Sequence, residues 1–135
     1  MKDLKIVIAD DSAVFRNLIS LSLSNAKGYE VVGMAADGLE ALRLVRELRP
    51  HLLVLDISMP YKDGLEVLEE IRREDSATVV IMFTADNSLR ETCLELGANY
   101  FLEKSQMREL KAICLSLLLA RLVGKPPAGA GGDAA

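Results

Sequence analysis

The stretch IVIADDS, residues 6–12, sets an unbroken apolar run against two adjacent carboxylates. Ile6, Val7, Ile8 and Ala9 have the composition of a short strand covered on both faces, because neither side of the pleat carries a polar group. The two acids that end it raise a question of charge. Like charges a few ångströms apart push up each other's pKa and resist ionisation unless something positive lies between them. The stretch therefore marks the carboxyl end of a buried strand and a point where a cation is needed.

Four further runs follow along the chain: YEVVGMAA, HLLVLDI, TVVIMF and NYFLE. They alternate with longer stretches of helical period, the pattern of an α/β fold with a doubly wound, five-stranded parallel sheet and helices on both faces. Helix starts repeat a common chemistry. DGLEAL (37–42) and DGLEVL (63–68) place Asp three residues before Glu, and Ser88 stands likewise before Glu91, the spacing of a capping box. The echo reads as shared helix-start chemistry, since the flanking strands differ. Gly28 and Gly97 stand where left-handed helix ends belong, and Pro50 closes the second helix. After Val123 the chain becomes GKPPAGAGGDAA, too poor in apolar surface to order itself. One domain over residues 1–123 and a disordered tail over 124–135 are expected.

The 135 residues suffice for one domain with a real core, and half of them are apolar. Sixteen Lys and Arg against twenty Asp and Glu leave a net charge of -4, the wrong sign for gripping nucleic acid, so no direct nucleic-acid partner is expected. The start, MKDLKIVIADD, lacks the parts of a signal peptide. The apolar stretch ICLSLLLA falls far short of the roughly 20 residues that cross a bilayer. A cytoplasmic protein with no membrane contact follows as the expectation. Cys93 and Cys114 share no metal-ligand spacing and read as reduced core residues. His51, in RPHLL between a helix and a strand, reads as a solvated loop residue.

Open parallel sheets bind ligands beyond the carboxyl ends of their strands. Asp10 and Asp11 follow the first strand, Asp56 lies near the end of the third, Thr84 ends the fourth and Lys104 the fifth. Singly, each is an ordinary cap, strand-end or surface residue. Jointly they put three carboxylates, a hydroxyl and an ammonium on one edge. Such a set suits phosphoryl transfer. Mg²⁺ takes hard oxygen ligands, often one or two carboxylates plus phosphate oxygens, and would let Asp10 and Asp11 both stay ionised. Asp56 can act as the nucleophile that becomes an acyl phosphate, with Thr84 and Lys104 pairing to the transferred oxygens.

The blocks IADDS, LVLDISMPYKDGLEVLEEIR, FTA and GANYFLEK, within a span from about Lys5 to Leu122, resemble the receiver domain of bacterial response regulators. The resemblance implies a flavodoxin-like strand order of 2-1-3-4-5. It implies that Asp56 accepts a phosphoryl group from a histidine kinase or histidine phosphotransfer protein. Asp10, Asp11 and Asp56 hold Mg²⁺ with the backbone carbonyl of Ser58, Asp11 being the usual direct ligand of the acidic pair. Thr84 and Phe101 are the switch residues, with Tyr100 competing for the aromatic role. Ser58 and Asp86 line access to the acyl phosphate, although Asp86 also reads as a cap for the fourth helix. The change leaves through the fourth helix, fifth strand and fifth helix to control a partner protein or a homodimer on that face.

On the fifth helix, Leu110, Ile113, Cys114 and Leu117 read as core. Leu115, Leu118, Leu119 and Leu122 spread apolar surface to another side, a candidate partner surface. Phe15, just past the acidic pair, is a candidate contact for the phosphodonor. One departure stands out: receivers usually carry Pro, often cis, after the fifth-strand lysine, and here Ser105 follows Lys104. A cis bond before a non-proline residue costs about 3 kcal/mol, so a trans peptide is expected, with Ser105 capping the last helix.

The expected whole is a stand-alone signalling module that catalyses only its own phosphorylation and dephosphorylation. A receiver cut from a longer regulator, including a DNA-binding one, is the alternative. A phosphatase of the haloacid dehalogenase type is the remote one, and would need a second Asp where Ser58 stands.

Overall fold

The computed structural model describes residues 3–24, 26–74 and 77–124. The strands are β1 (Leu4–Ala9), β2 (Tyr29–Ala35), β3 (Leu52–Leu55), β4 (Val79–Thr84) and β5 (Tyr100–Glu103). Between and after them run α1 (Ala13–Ser24), α2 (Gly38–Leu48), α3 (Gly64–Glu74), α4 (Arg90–Glu95) and α5 (Met107–Leu122). All strand pairs are parallel, in the order β2-β1-β3-β4-β5. This is the expected flavodoxin-like sheet. The tail expectation falls on residues that, after Gly124, lie outside the described ones.

Period-two alternation divides the core. Ile6 and Ile8 of β1, with Leu52, Val54, Ile81 and Phe83, pack under α1 and α5. Val7 and Ala9, with Leu53, Leu55, Val80 and Met82, pack under α2, α3 and α4. Both faces being covered, β1, β3 and β4 are almost wholly buried, which explains their near-continuous apolar runs. Tyr100 and Phe101 are both buried and point into opposite layers, Phe101 towards α4 and Tyr100 towards α5.

Of the three capping boxes one closes reciprocally and one forms as a one-sided cap. Asp37 accepts from the Glu40 N–H at 2.8 Å. Asp63 accepts from the Glu66 N–H at 2.9 Å, and the Glu66 carboxylate accepts from the Asp63 N–H at 3.1 Å. The third expectation is corrected. Helix α4 starts only at Arg90, without a side-chain cap, because the Ser88 N–H donates instead to Asp86 at 2.9 Å in a turn ahead of the helix. Asp86 is therefore a turn former, not a cap. Ser105 is likewise no cap: Gln106 holds that position and its side-chain oxygen accepts from the Glu103 N–H at 2.9 Å. No cis peptide occurs among the described residues, so the Lys104–Ser105 bond is trans.

His51 also departs from the sequence reading. Its Nδ1 accepts from the Lys5 N–H at 2.9 Å, its own N–H donates to Lys5 O at 3.0 Å, and its carbonyl accepts from Val79 at 2.9 Å. It extends the ladder at the amino edge of the sheet and is half-buried there. Burial, helped by the charges of Arg121 and Lys5, holds its pKa below the usual histidine value. Cys93 and Cys114 are buried and free, as read, and burial pushes their thiols up to about 11 and about 12.

Candidate functional site

The ladder itself delivers the acids to one edge. The Asp10 N–H donates to Ala35 O at 3.0 Å and the Asp56 N–H to Ala9 O at 2.9 Å, so each residue just past a strand is pinned by its neighbour. On the other side the Lys104 N–H donates to Thr84 O at 2.9 Å. Four strand ends that the sequence scatters over nearly a hundred residues thus meet by register alone.

Carboxylate oxygens of Asp10, Asp11 and Asp56 lie within 4.8 Å of one another. Asp10 and Asp56 are only 1% and 3% exposed, whereas Asp11 faces solvent. The Lys104 ammonium bridges the buried pair, 2.8 Å from Asp10 Oδ2 and 2.9 Å from Asp56 Oδ2. The other Asp10 oxygen accepts from the Ser12 N–H at 2.8 Å. Asp56 Oδ1 is buried and has no partner among the described residues. An orphaned anionic oxygen is costly unless a further positive group can reach it. Together with two neighbouring carboxylates of hard oxygen, it fits a small divalent cation.

Electrostatics here is a contest between burial and pairing. Burial raises the Asp10 carboxyl above its ordinary value, and the Asp56 charge adds to that, outweighing the Lys104 contact and the Ser12 N–H that pull it down. Burial pulls the Lys104 ammonium down, but its contacts with Asp10 and Asp56 more than offset this, so its pKa is raised. Lys104 is held from a third side. Its Nζ sits 4.4 Å from the centre of the Phe15 ring, a cation–π contact, and Phe15 meets Phe83 edge-on at 6.4 Å.

The loop after β3 has no room for variation where it turns into α3. The Gly64 N–H donates to Ile57 O at 2.7 Å. A Cβ at Gly64 would lie 2.2 Å from the carbonyl oxygen of Asp56, so only glycine lets the helix start this close to the acid's backbone.

The remaining site expectations sort by burial. Thr84 is buried at the end of β4, beside the lysine backbone. Ser58 and Asp86 are exposed on the two loops. Phe101 is buried with the Arg90 guanidinium 5.8 Å from its ring centre, and Arg90 also donates to the Phe101 carbonyl at 3.3 Å. Two surface expectations are corrected. Tyr100 is buried in the α1/α5 layer. Leu118 is half-buried against Gly28, where a Cβ would come within 2.7 Å of it. Phe15 is half-buried, with the Lys104 ammonium over its ring. Leu115, Leu119 and Leu122 are about half exposed, as read.

The sequence reading missed Arg72. Its guanidinium donates to Gly97 O at 2.8 Å, Thr78 O at 2.9 Å and Asn99 Oδ1 at 2.7 Å, tying α3 to the entries of β4 and β5. Its partners lie up to 27 positions away, and an arginine near a helix end carries no local signal of such a role.

Comparison with known proteins adds an independent line. A family model described as the response regulator receiver domain matches residues 6–114. The probable transcriptional regulator ycf27 of Porphyridium aerugineum is 43% identical over 121 residues, covering 87% of this chain and 49% of that protein. Protein-glutamate methylesterase/protein-glutamine glutaminase 2 of Koribacter versatilis is 37% identical over 106 residues, 76% of this chain and 29% of that protein. The chain thus spans between about a third and a half of the length of these relatives. Among solved structures, the response regulator domain of Thermotoga maritima CheB superposes with a TM-score of 0.81 at 26% identity, covering 87% of this chain and 98% of that one.

Proposed function

We propose a function from one premise, that the chain belongs to the response regulator receiver domain family of two-component systems, and we assign its phosphoryl chemistry to Asp56. A carboxylate oxygen of Asp56 attacks the phosphorus of a phosphohistidine on a histidine kinase or phosphotransfer protein. The new O–P bond forms as the P–N bond breaks, and the imidazole leaves with the electron pair. Asp10, Asp11, Asp56 and the Ser58 carbonyl would hold Mg²⁺, which when bound neutralises charge on the transferred oxygens. Lys104 leaves its bridge between Asp10 and Asp56 to pair with one phosphoryl oxygen, and the Thr84 hydroxyl donates to another. Asp86 and Ser58, exposed beside this edge, govern how water reaches the acyl phosphate.

The observation that carries this reading is the pairing of Asp56. One oxygen is held by Lys104 at 2.9 Å while the other is buried without a partner beside two more carboxylates. A purely structural ion pair would satisfy both.

Phosphorylation replaces about one negative charge by two and adds acceptor oxygens, enough to bias a two-state surface. Thr84 and Phe101 pass the change on, and the Arg90 contact on Phe101 is the point at which α4 senses it. The output is control of a protein partner. The described residues contain no helix long and apolar enough to cross a membrane, and we place the module in the cytoplasm with its phosphodonors.

Incubation with acetyl phosphate and Mg²⁺, followed by intact mass, tests the assignment. The wild-type chain should gain one phosphoryl group and Asp56→Asn none. Equal labelling of both would move the acceptor elsewhere, and no labelling of the wild type would remove the phosphoacceptor reading.

A further inference from the structure

Two sides of the Lys104 ammonium face carboxylates, Asp10 at 2.8 Å and Asp56 at 2.9 Å, and the Phe15 ring covers a third, its centre 4.4 Å from Nζ. The lysine side chain is only 14% exposed, so water does little to screen that third contact.

The ring is held in place from several directions. Phe15 lies in the first turn of α1, where its N–H donates to Ser12 Oγ at 3.3 Å, and the Ser12 N–H donates in turn to Asp10 Oδ1 at 2.8 Å. Arg16, next in the chain, donates to the Asp10 carbonyl at 2.7 Å. The start of the helix is thereby tied to the acid it follows. Against the ring stands Phe83 of β4, fully buried, with the two planes 70° apart. Phe83 directly precedes Thr84, so this edge-on contact seats the ring on the strand whose end carries the hydroxyl of the site.

Lys104 needs such a support. Its backbone is fixed by the bond to Thr84 O and by the turn in which the Gln106 N–H donates to Glu103 O at 2.8 Å. The four-carbon stem beyond it keeps rotamer freedom that something must remove. In the resting structure the carboxylates do so, but neither is a permanent anchor. Asp56 becomes the acyl phosphate, and the ammonium has to pass from Asp56 Oδ2 to a phosphoryl oxygen. A phenyl face is neither ionised nor consumed in that change. Its attraction for a cation acts over the whole face with no lone pair to align, so the head can slide along it without losing it. An aliphatic side chain of similar bulk fills the space and offers no negative face.

We propose that Phe15 is a positioning residue for the phosphoryl transfer assigned to Asp56: its ring face keeps the Lys104 ammonium on the acidic edge while the charge that ammonium pairs with passes from carboxylate to phosphoryl oxygen. Phe15 touches none of the reacting atoms and acts through Lys104. This role, which rests on the phosphoacceptor reading, depends on the electron density of the ring and not on its bulk.

Phenylalanine analogues with one, two and three ring fluorines, placed at position 15 alone by nonsense suppression, weaken the negative face in steps at nearly constant size. The rate at which each full chain gains a phosphoryl group from acetyl phosphate with Mg²⁺ is read by intact mass, and urea unfolding checks that each protein is folded under the assay conditions. Acetyl phosphate has no surface to dock on α1, so the rate reports the chemistry and not the recognition of a donor protein. It should fall at each step, by about tenfold at the third fluorine. Phe15→Leu should be about as slow as the trifluoro protein, and Phe15→Tyr, which keeps the ring face, should stay within about threefold of the wild type. A rate indifferent to fluorination, or Phe15→Leu labelled as fast as the wild type, would overturn the role of the ring and leave Asp56 as the acceptor. Equal losses in Phe15→Leu and Phe15→Tyr would overturn it too, since shape and not charge would then be at work. An unlabelled wild type would strike the phosphoacceptor reading and this role with it.

Discussion

Replacing Lys104 by Met keeps most of the aliphatic stem and deletes the one positive group that Asp10 and Asp56 share. The two contacts, at 2.8 and 2.9 Å, are worth roughly 6 kcal/mol each in gross Coulomb terms at an effective dielectric near 20. Most of that is already offset by the desolvation of three groups. What the variant exposes is the asymmetry: removing one partner leaves buried carboxylates uncompensated, typically a loss of about 3–5 kcal/mol. The Asp10 carboxyl, already raised by burial, limits the loss by taking up a proton, so about 3 kcal/mol is expected at neutral pH without metal.

The sign with pH follows from Asp10. Its carboxyl is raised even in the wild type, and without Lys104 it rises further. In the window between the unfolded and folded pKa the folded state binds more protons, so the variant loses stability as pH rises and recovers as it falls. Urea unfolding of both proteins in EDTA, at several values between about pH 5 and pH 8, measures the difference. It should shrink steadily towards the acid end. Added Mg²⁺ should stabilise the variant more than the wild type, since the ion replaces the missing charge. A variant as stable as the wild type at neutral pH, or a difference that does not change with pH, would refute this reading of the ion-pair geometry.

Gly64→Ala forces a Cβ to within 2.2 Å of the Asp56 carbonyl oxygen, and should cost about 1–3 kcal/mol and slow acetyl phosphate labelling of Asp56. Gly33→Ala, whose nearest contact would be the Leu44 side chain at 3.2 Å, should cost less and leave labelling unchanged in the same mass assay. His51, with its pKa held below 6.5 by burial, contributes stability that is present above that value and is lost as pH falls through its folded pKa. Subtracting the thermal-unfolding pH profile of His51→Leu from that of the wild type isolates this term, and a flat difference would show that the Lys5 contact is indifferent to the charge on the ring.

The sheet was legible because burial on both faces leaves a continuous mark, and because parallel register alone brings strand ends together. Reading what stood at those ends found Asp10, Asp11, Asp56, Thr84 and Lys104 without any knowledge of their distances. Local chemistry was legible only where geometry closes on itself. Asp63 and Glu66 bond each other's backbone N–H reciprocally, so spacing is sufficient. Ser88 has the same spacing to Glu91, but Asp86 offers its N–H a nearer acceptor, and one residue's alternative bond moves the start of α4. Ser105 loses to Gln106 for the same reason, since the longer amide reaches back to the Glu103 N–H.

What stayed hidden depends on the third dimension. His51 looked solvated because nothing near it in sequence predicts that Lys5, 46 positions earlier, supplies an N–H for its ring. Phe15 is half-buried because the Lys104 ammonium, fixed by two carboxylates, lies over its ring. The leucines of α5 show the limit most clearly. Composition gives all four an equal claim to be surface, yet Leu118 turns inward, because Gly28 leaves the space a side chain would fill. Leu115, Leu119 and Leu122 stay about half exposed, and of the three only Leu115 lines the cavity between α1 and α5.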